Sequence, residues 1–159
     1  MVILGLADGD MLADNLLGHT HPLDVKYDQV YDFLNCLKIS PCAGWLNSNH
    51  TIRLRTSAWA KKLSNVYKEI LGSGIEFKNY DYAYYDFPTK EIFDKGILEN
   101  RRPEELIEPC DGFHPSGLFN SYLADWLWYR ITTEHPEWIG DENPNNEEIK
   151  RIFGLKDLE

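Results

Sequence analysis

Basic residues are in short supply: 16 Lys and Arg stand against 26 Asp and Glu, a formal net charge of −10 over 159 residues. Neutralising a nucleic-acid backbone takes clustered Lys and Arg, so the charge balance argues against nucleic acid as a partner. Long apolar runs are absent too. No stretch approaches the roughly 18 apolar residues that span a bilayer. Residues 1–6 are too short for a signal peptide, lack a basic flank and run straight into Asp8 and Asp10. There are only three cysteines, so they cannot all pair within the chain. Cys36 and Cys42 flank Pro41 and lie near enough in sequence to close a small loop in an oxidising compartment, which leaves Cys110 as the odd thiol. Asn49-His50-Thr51 is the one glycosylation sequon. Sequon and cysteine pair together favour a secretory route.

What remains is apolar enough to fold: 43% of the residues are hydrophobic and 13% aromatic, sufficient for one globular domain or part of one. Residues 2–6 read as a buried parallel strand that breaks at Ala7-Asp8-Gly9. Val30, Phe33, Leu34 and Leu37 mark a helix that stops before Pro41. Trp59, Leu63, Val66 and Ile70 predict a long helix over 51–71, and the alternating, Tyr-rich stretch 75–87 predicts a second strand. A short helix is expected at 89–94 and a turn at 103–106. After Pro115, a further helix carries Leu118, Tyr122, Leu123, Trp126 and Tyr129, and the polar tail from Gly140 ends in a short helix at 147–153.

Strands alternating with helices predict an α/β layer architecture with a parallel sheet. Two strands leave both sheet edges unpaired. The chain therefore reads as the C-terminal portion of a larger domain, or as one that another chain completes.

The chemistry concentrates in Asp111-Gly112-Phe113-His114. Here a carboxylate precedes an imidazole by three residues where a loop enters a helix, with Pro115 placed for the first helical turn. A serine that attacks an ester needs an imidazole to take its proton and a carboxylate to hold that imidazole's tautomer. His114 and Asp111 are the candidate base and acid. The nucleophile block is missing: no Gly-Asp-Ser, no Gly-x-Ser-x-Gly elbow and no Gly-x-Asn-Asp oxyanion segment occurs. His19 and His21 lack further ligands at metal-binding spacing and read as loop histidines, and Asp8 and Asp10 as a solvated turn. No metal site is expected in the chain.

Several ordered segments resemble the acyloxyacyl hydrolase family. They are Ile3-Leu4-Gly5-Leu6-Ala7-Asp8-Gly9, Asp14-Asn15-Leu16, His21-Pro22-Leu23 and Tyr31-Asp32-Phe33-Leu34-Asn35-Cys36-Leu37. Ser40-Pro41-Cys42 with Gly44-Trp45, and Asn47-Ser48-Asn49 with Thr51, continue the likeness. So do Leu106-Ile107-Glu108-Pro109, Asp111-Gly112-Phe113-His114-Pro115, and Gly140 with Glu142-Asn143-Pro144. The resemblance implies the C-terminal part of an SGNH (GDSL-type) hydrolase, a three-layer α/β/α sandwich over 1–139, followed by the tail 140–159. It implies an esterase that removes secondary fatty acyl chains from the lipid A of lipopolysaccharide, secreted or lysosomal, with Asp111 and His114 as acid and base. It also implies a disulfide-type loop at Cys36 and Cys42 and a glycan at Asn49. The family's serine, oxyanion hole and calcium-binding segment fall upstream, so no cofactor is expected in this chain and calcium only through that upstream region. Cys110 has no counterpart in the pattern. The alternative reading is a non-catalytic module of the same fold that binds lipid or a partner.

Overall fold

The computed structural model describes residues 1–40 and 42–154; Pro41 and residues 155–159, the last part of the expected tail, lie outside the described residues. Strand β1 (Val2–Leu4) pairs in parallel with β2 (Ala83–Tyr85), Val2 opposite Ala83 and Leu4 opposite Tyr85. Around this small sheet lie α1 (Asp10–Leu16), α2 (Tyr27–Cys36), α3 (His50–Gly72), α4 (Thr89–Leu98) and the start of α5 (Gly117–Glu134), with a 3-10 turn at Pro103–Leu106. These residues form one compact unit, Met1–Leu123. A second unit, Ala124–Glu159, holds the rest of α5, a 3-10 turn at Pro136–Trp138 and α6 (Asn146–Phe153). Parallel strands linked through helices make the chain α/β, as expected. No helix among the described residues is long and apolar enough to cross a membrane.

The core of the first unit gathers Leu16, Tyr27, Tyr31, Leu46, Ile92, Phe93, Leu106, Ile107, Phe119 and Tyr122. Burying such side chains removes their apolar area from water, the main favourable term in folding. Phe119 anchors α5, meeting Phe93 edge-on at 6.0 Å and stacking against Phe87 at 6.2 Å.

Three sequence expectations are corrected. The strand predicted for 75–87 is confined to Ala83–Tyr85, because the preceding aromatics pack on one another: Phe77 stacks on Tyr80 at 4.6 Å, and the Tyr82 hydroxyl donates to the Leu71 and Ile75 carbonyls near the end of α3. Helix α3 forms where its apolar period predicts, with Asn49 accepting from the Thr51 amide as its cap, but Trp59, Leu63, Val66 and Ile70 lie exposed. The buried face instead uses Arg53, Ala60 and Ser64. Ser64 accepts from the Leu6 amide at 2.9 Å, so its small side chain brings α3 against the segment that leaves β1.

The third correction is α1, where a solvated acidic turn was expected. Its Asp10 and Asp14 both accept from the buried Arg53 guanidinium, at 2.9 and 2.8 Å, while Arg53 also donates to the Asn47 carbonyl at 3.0 Å. One cation thus ties α1, α3 and the loop between α2 and α3. Replacing Arg53 with Met leaves Asp10 and a carbonyl without their donor and is expected to cost about 3 kcal/mol, read as a lower urea midpoint.

Cys36, Cys42 and Cys110 are free thiols in this structure. Cys36 is exposed at the last residue of α2, whereas Cys42 packs against the core, where burial pushes its thiol pKa up.

Candidate active site

Residues 107–115 leave the 3-10 turn as a tight loop closed at its base by a bridge between Ile107 and Pro115. The Glu108 amide donates to the His114 carbonyl at 2.8 Å and the Ser116 amide to the Leu106 carbonyl at 3.0 Å. That bridge holds Pro115 outside the helix, and α5 begins at Gly117 with the Ser116 hydroxyl accepting from the Phe119 amide at 3.3 Å. His114 therefore stands further from the helix than the position of Pro115 predicts.

Asp111 organises the loop tip. One carboxylate oxygen accepts from the Phe113 and His114 amides at 2.8 and 2.9 Å, and the other meets His114 Nδ1 at 2.7 Å. Burial pushes the Asp111 carboxyl up, but the His114 and Phe113 amides and the imidazole outweigh it, and the group is held below its usual value. A depressed carboxyl stabilises the fold above its unfolded pKa of about 3.9 and loses that contribution as pH falls through the folded value. The melting-temperature difference between wild type and Asp111→Ala is accordingly expected to shrink as the pH is lowered below about 4.

With Nδ1 bound to the carboxylate, the proton sits on Nδ1 and Nε2 is left with its lone pair, the form a general base requires. The His114 side chain is 69% exposed, so that edge is open to a reacting group. Phe113 stands edge-on to the imidazole at 5.3 Å and stacks on Trp45 at 6.1 Å. A cavity of about 120 Å³ opens here, walled by Leu12, Trp45, Phe87, Phe113, Pro115 and Phe119 and almost wholly apolar. It shares Ala7, Asp8 and Phe87 with a larger cleft of about 310 Å³ beyond the carboxyl ends of β1 and β2. That is where open α/β sheets bind ligands.

Other residues singled out in the sequence are placed elsewhere. Asn49 is exposed, and its side-chain oxygen caps α3. His19 lies 3.9 Å from Glu104 and His50 lies 3.7 Å from Asp10. Asp8 accepts from Ser57 at 2.5 Å. Among the described residues no three His, Cys, Asp or Glu side chains assemble a metal cage.

Two contributors, Tyr27 and Tyr31, carried no sequence assignment, and a third, His21, was expected to be a loop histidine. His21, Tyr27 and Tyr31 are buried, and each bonds a carbonyl of the loop that carries Asp111. The two tyrosines sit one helical turn apart on α2, and that spacing was their only local signal.

No family model matches the chain. Along 97% of its length it is 43% identical to the acyloxyacyl hydrolase of Homo sapiens and 40% identical to those of Oryctolagus cuniculus and Mus musculus. The chain spans 28% of the length of each of these relatives. The resemblance read from its motifs thus extends over nearly every residue.

Proposed function

From a chain so similar to acyloxyacyl hydrolases, we propose that Asp111 and His114 are the acid and base of a serine esterase that removes secondary, ester-linked fatty acyl chains from lipid A. The observation that carries this reading is the 2.7 Å contact between His114 Nδ1 and an Asp111 carboxylate whose other oxygen is already held by two amides. In this mechanism His114 Nε2 takes the proton of a serine hydroxyl as its oxygen attacks the acyl carbonyl. It returns that proton to the departing alkoxide, then takes a proton from the water that attacks the acyl-enzyme and gives it to the serine oxygen as the serine–acyl bond breaks and the fatty acid leaves. Asp111 holds the Nδ1–H tautomer and stabilises the imidazolium between these transfers.

The serine and the oxyanion donors belong to the upstream part of such a hydrolase, where the three-layer SGNH sandwich is completed by strands beside β1 and β2. The calcium that the resemblance implies is assigned to that region too, and no residue described above is given to it. The apolar cavity flanked by Phe113 and Pro115 suits a hydrocarbon chain better than a polar acyl group. The exposed sequon at Asn49 supports passage through the secretory pathway to an extracellular or lysosomal site.

Lipid A incubated with the native polypeptide tests the assignment. Release of the secondary fatty acids, with the primary ones left in place, is expected; release of neither contradicts it. The exposed stripe of Trp59, Leu63, Val66 and Ile70 favours a second reading, a non-catalytic module that docks on lipid or a partner through α3. Binding to lipid micelles without any acyl release supports that alternative.

A further inference from the structure

The loop that carries Asp111 contains no helix or strand, yet three of its carbonyls are taken by side chains from one short segment. The Tyr27 hydroxyl donates to the Pro109 carbonyl at 2.5 Å, His21 Nε2 to that of Cys110 at 2.8 Å, and the Tyr31 hydroxyl to that of Gly112 at 3.3 Å. The direction of the histidine bond follows from its other nitrogen: the Leu23 amide donates to Nδ1 at 3.0 Å, so Nε2 carries the proton. His21, Tyr27 and Tyr31 are 7%, 3% and 0% exposed, and their rings pack in sequence, His21 edge-on to Tyr27 at 5.2 Å and Tyr27 against Tyr31 at 6.0 Å. The Asp111 side chain itself is 46% exposed.

We propose that His21, Tyr27 and Tyr31 are positioning residues, which clamp the carbonyls on both sides of Asp111 so that its carboxylate stays on His114 Nδ1. The proposal rests on the reading of Asp111 and His114 as an acid and base pair. The clamp works through geometry. With the carbonyls of 109 and 110 held before Asp111 and that of 112 after it, the Asp111 backbone has one conformation, in which the side chain reaches back over the Phe113 and His114 amides. Any one of these donors, if deleted, leaves a carbonyl without its partner and loosens the hold on the Asp111 backbone.

The tautomer of His114 reports on this directly. A neutral imidazole favours Nε2–H in water, and Asp111 reverses that preference by accepting from Nδ1. The nitrogen shifts of His114 can be read at neutral pH through its carbon-bound ring protons in the full chain and in variants. Wild type is expected to show Nδ1–H. Tyr27→Phe, which loses one oxygen, and His21→Phe are expected to lose that tautomer in favour of Nε2–H, while His21→Gln, whose amide still donates to the Cys110 carbonyl, is expected to keep it. If Tyr27→Phe retains the wild-type amide spectrum and the Nδ1–H form, the clamp is overturned, whatever the folding of His21→Phe. Asp111→Ala separates the two levels of argument: a His114 tautomer unchanged in that variant would show that Asp111 does not hold the ring, and the acid and base reading would fall first.

Discussion

Replacing His114 with Ala is expected to lower acyl release by about 10⁶-fold in kcat, the loss that follows when the base of a serine triad is removed. In the proposed mechanism His114 would accept both protons, from the attacking serine and from the hydrolytic water, which is why so large a loss is expected. The Asp111 carboxylate is engaged at Nδ1, the ring nitrogen opposite the one assigned to the transfers. The expected result is an unchanged KM with kcat near that of an enzyme lacking its triad, measured on lipid A with the fold checked by circular dichroism. The imidazole is largely exposed and buries little, so the variant is expected to melt close to wild type.

The second large effect is on the scaffold. Gly112 adopts a positive φ of 63°, a left-handed conformation that a Cβ makes costly. It also lies flat on the aromatic clamp: a Cβ there would meet the Tyr31 hydroxyl at 2.8 Å, Tyr27 at 3.0 Å and Leu16 at 3.1 Å, all three in the buried core. Gly112→Ala combines left-handed strain of about 1–2 kcal/mol with overpacking of about 1–3 kcal/mol, a loss of about 2–5 kcal/mol in urea unfolding. If the chain folds at all in this variant, the loop is displaced from Tyr31, and activity is expected to fall with stability.

How much of this was legible in the sequence depended on how far apart the interacting residues lie. Asp111 and His114 are three positions apart, so their pairing could be read from a tetrapeptide, and the structure places them in contact. The clamp partners lie 81 to 89 residues from the carbonyls they hold, and nothing local marks a buried His21 as different from a loop histidine. The same holds for α1, whose acidic residues look solvated until Arg53, 39 and 43 positions on, is brought against them. Helix α3 was legible as a helix because its period is intrinsic, but its buried face was not, since close approach to the segment leaving β1 selects the small Ser64 over the larger apolar residues. The strand at 75–87 was overextended because Tyr and Phe suit a pleated surface and equally suit an aromatic cluster at a helix end.

The central claim, that Asp111 and His114 act as one catalytic unit, is tested most directly by a double-mutant cycle on acyl release from lipid A with Asp111→Asn and His114→Ala. Residues that act as one catalytic unit lose their contribution once, so the double variant is predicted to be no slower than His114→Ala alone. Losses that simply multiply would mean that the two side chains act independently, and would contradict the pairing on which the assignment stands.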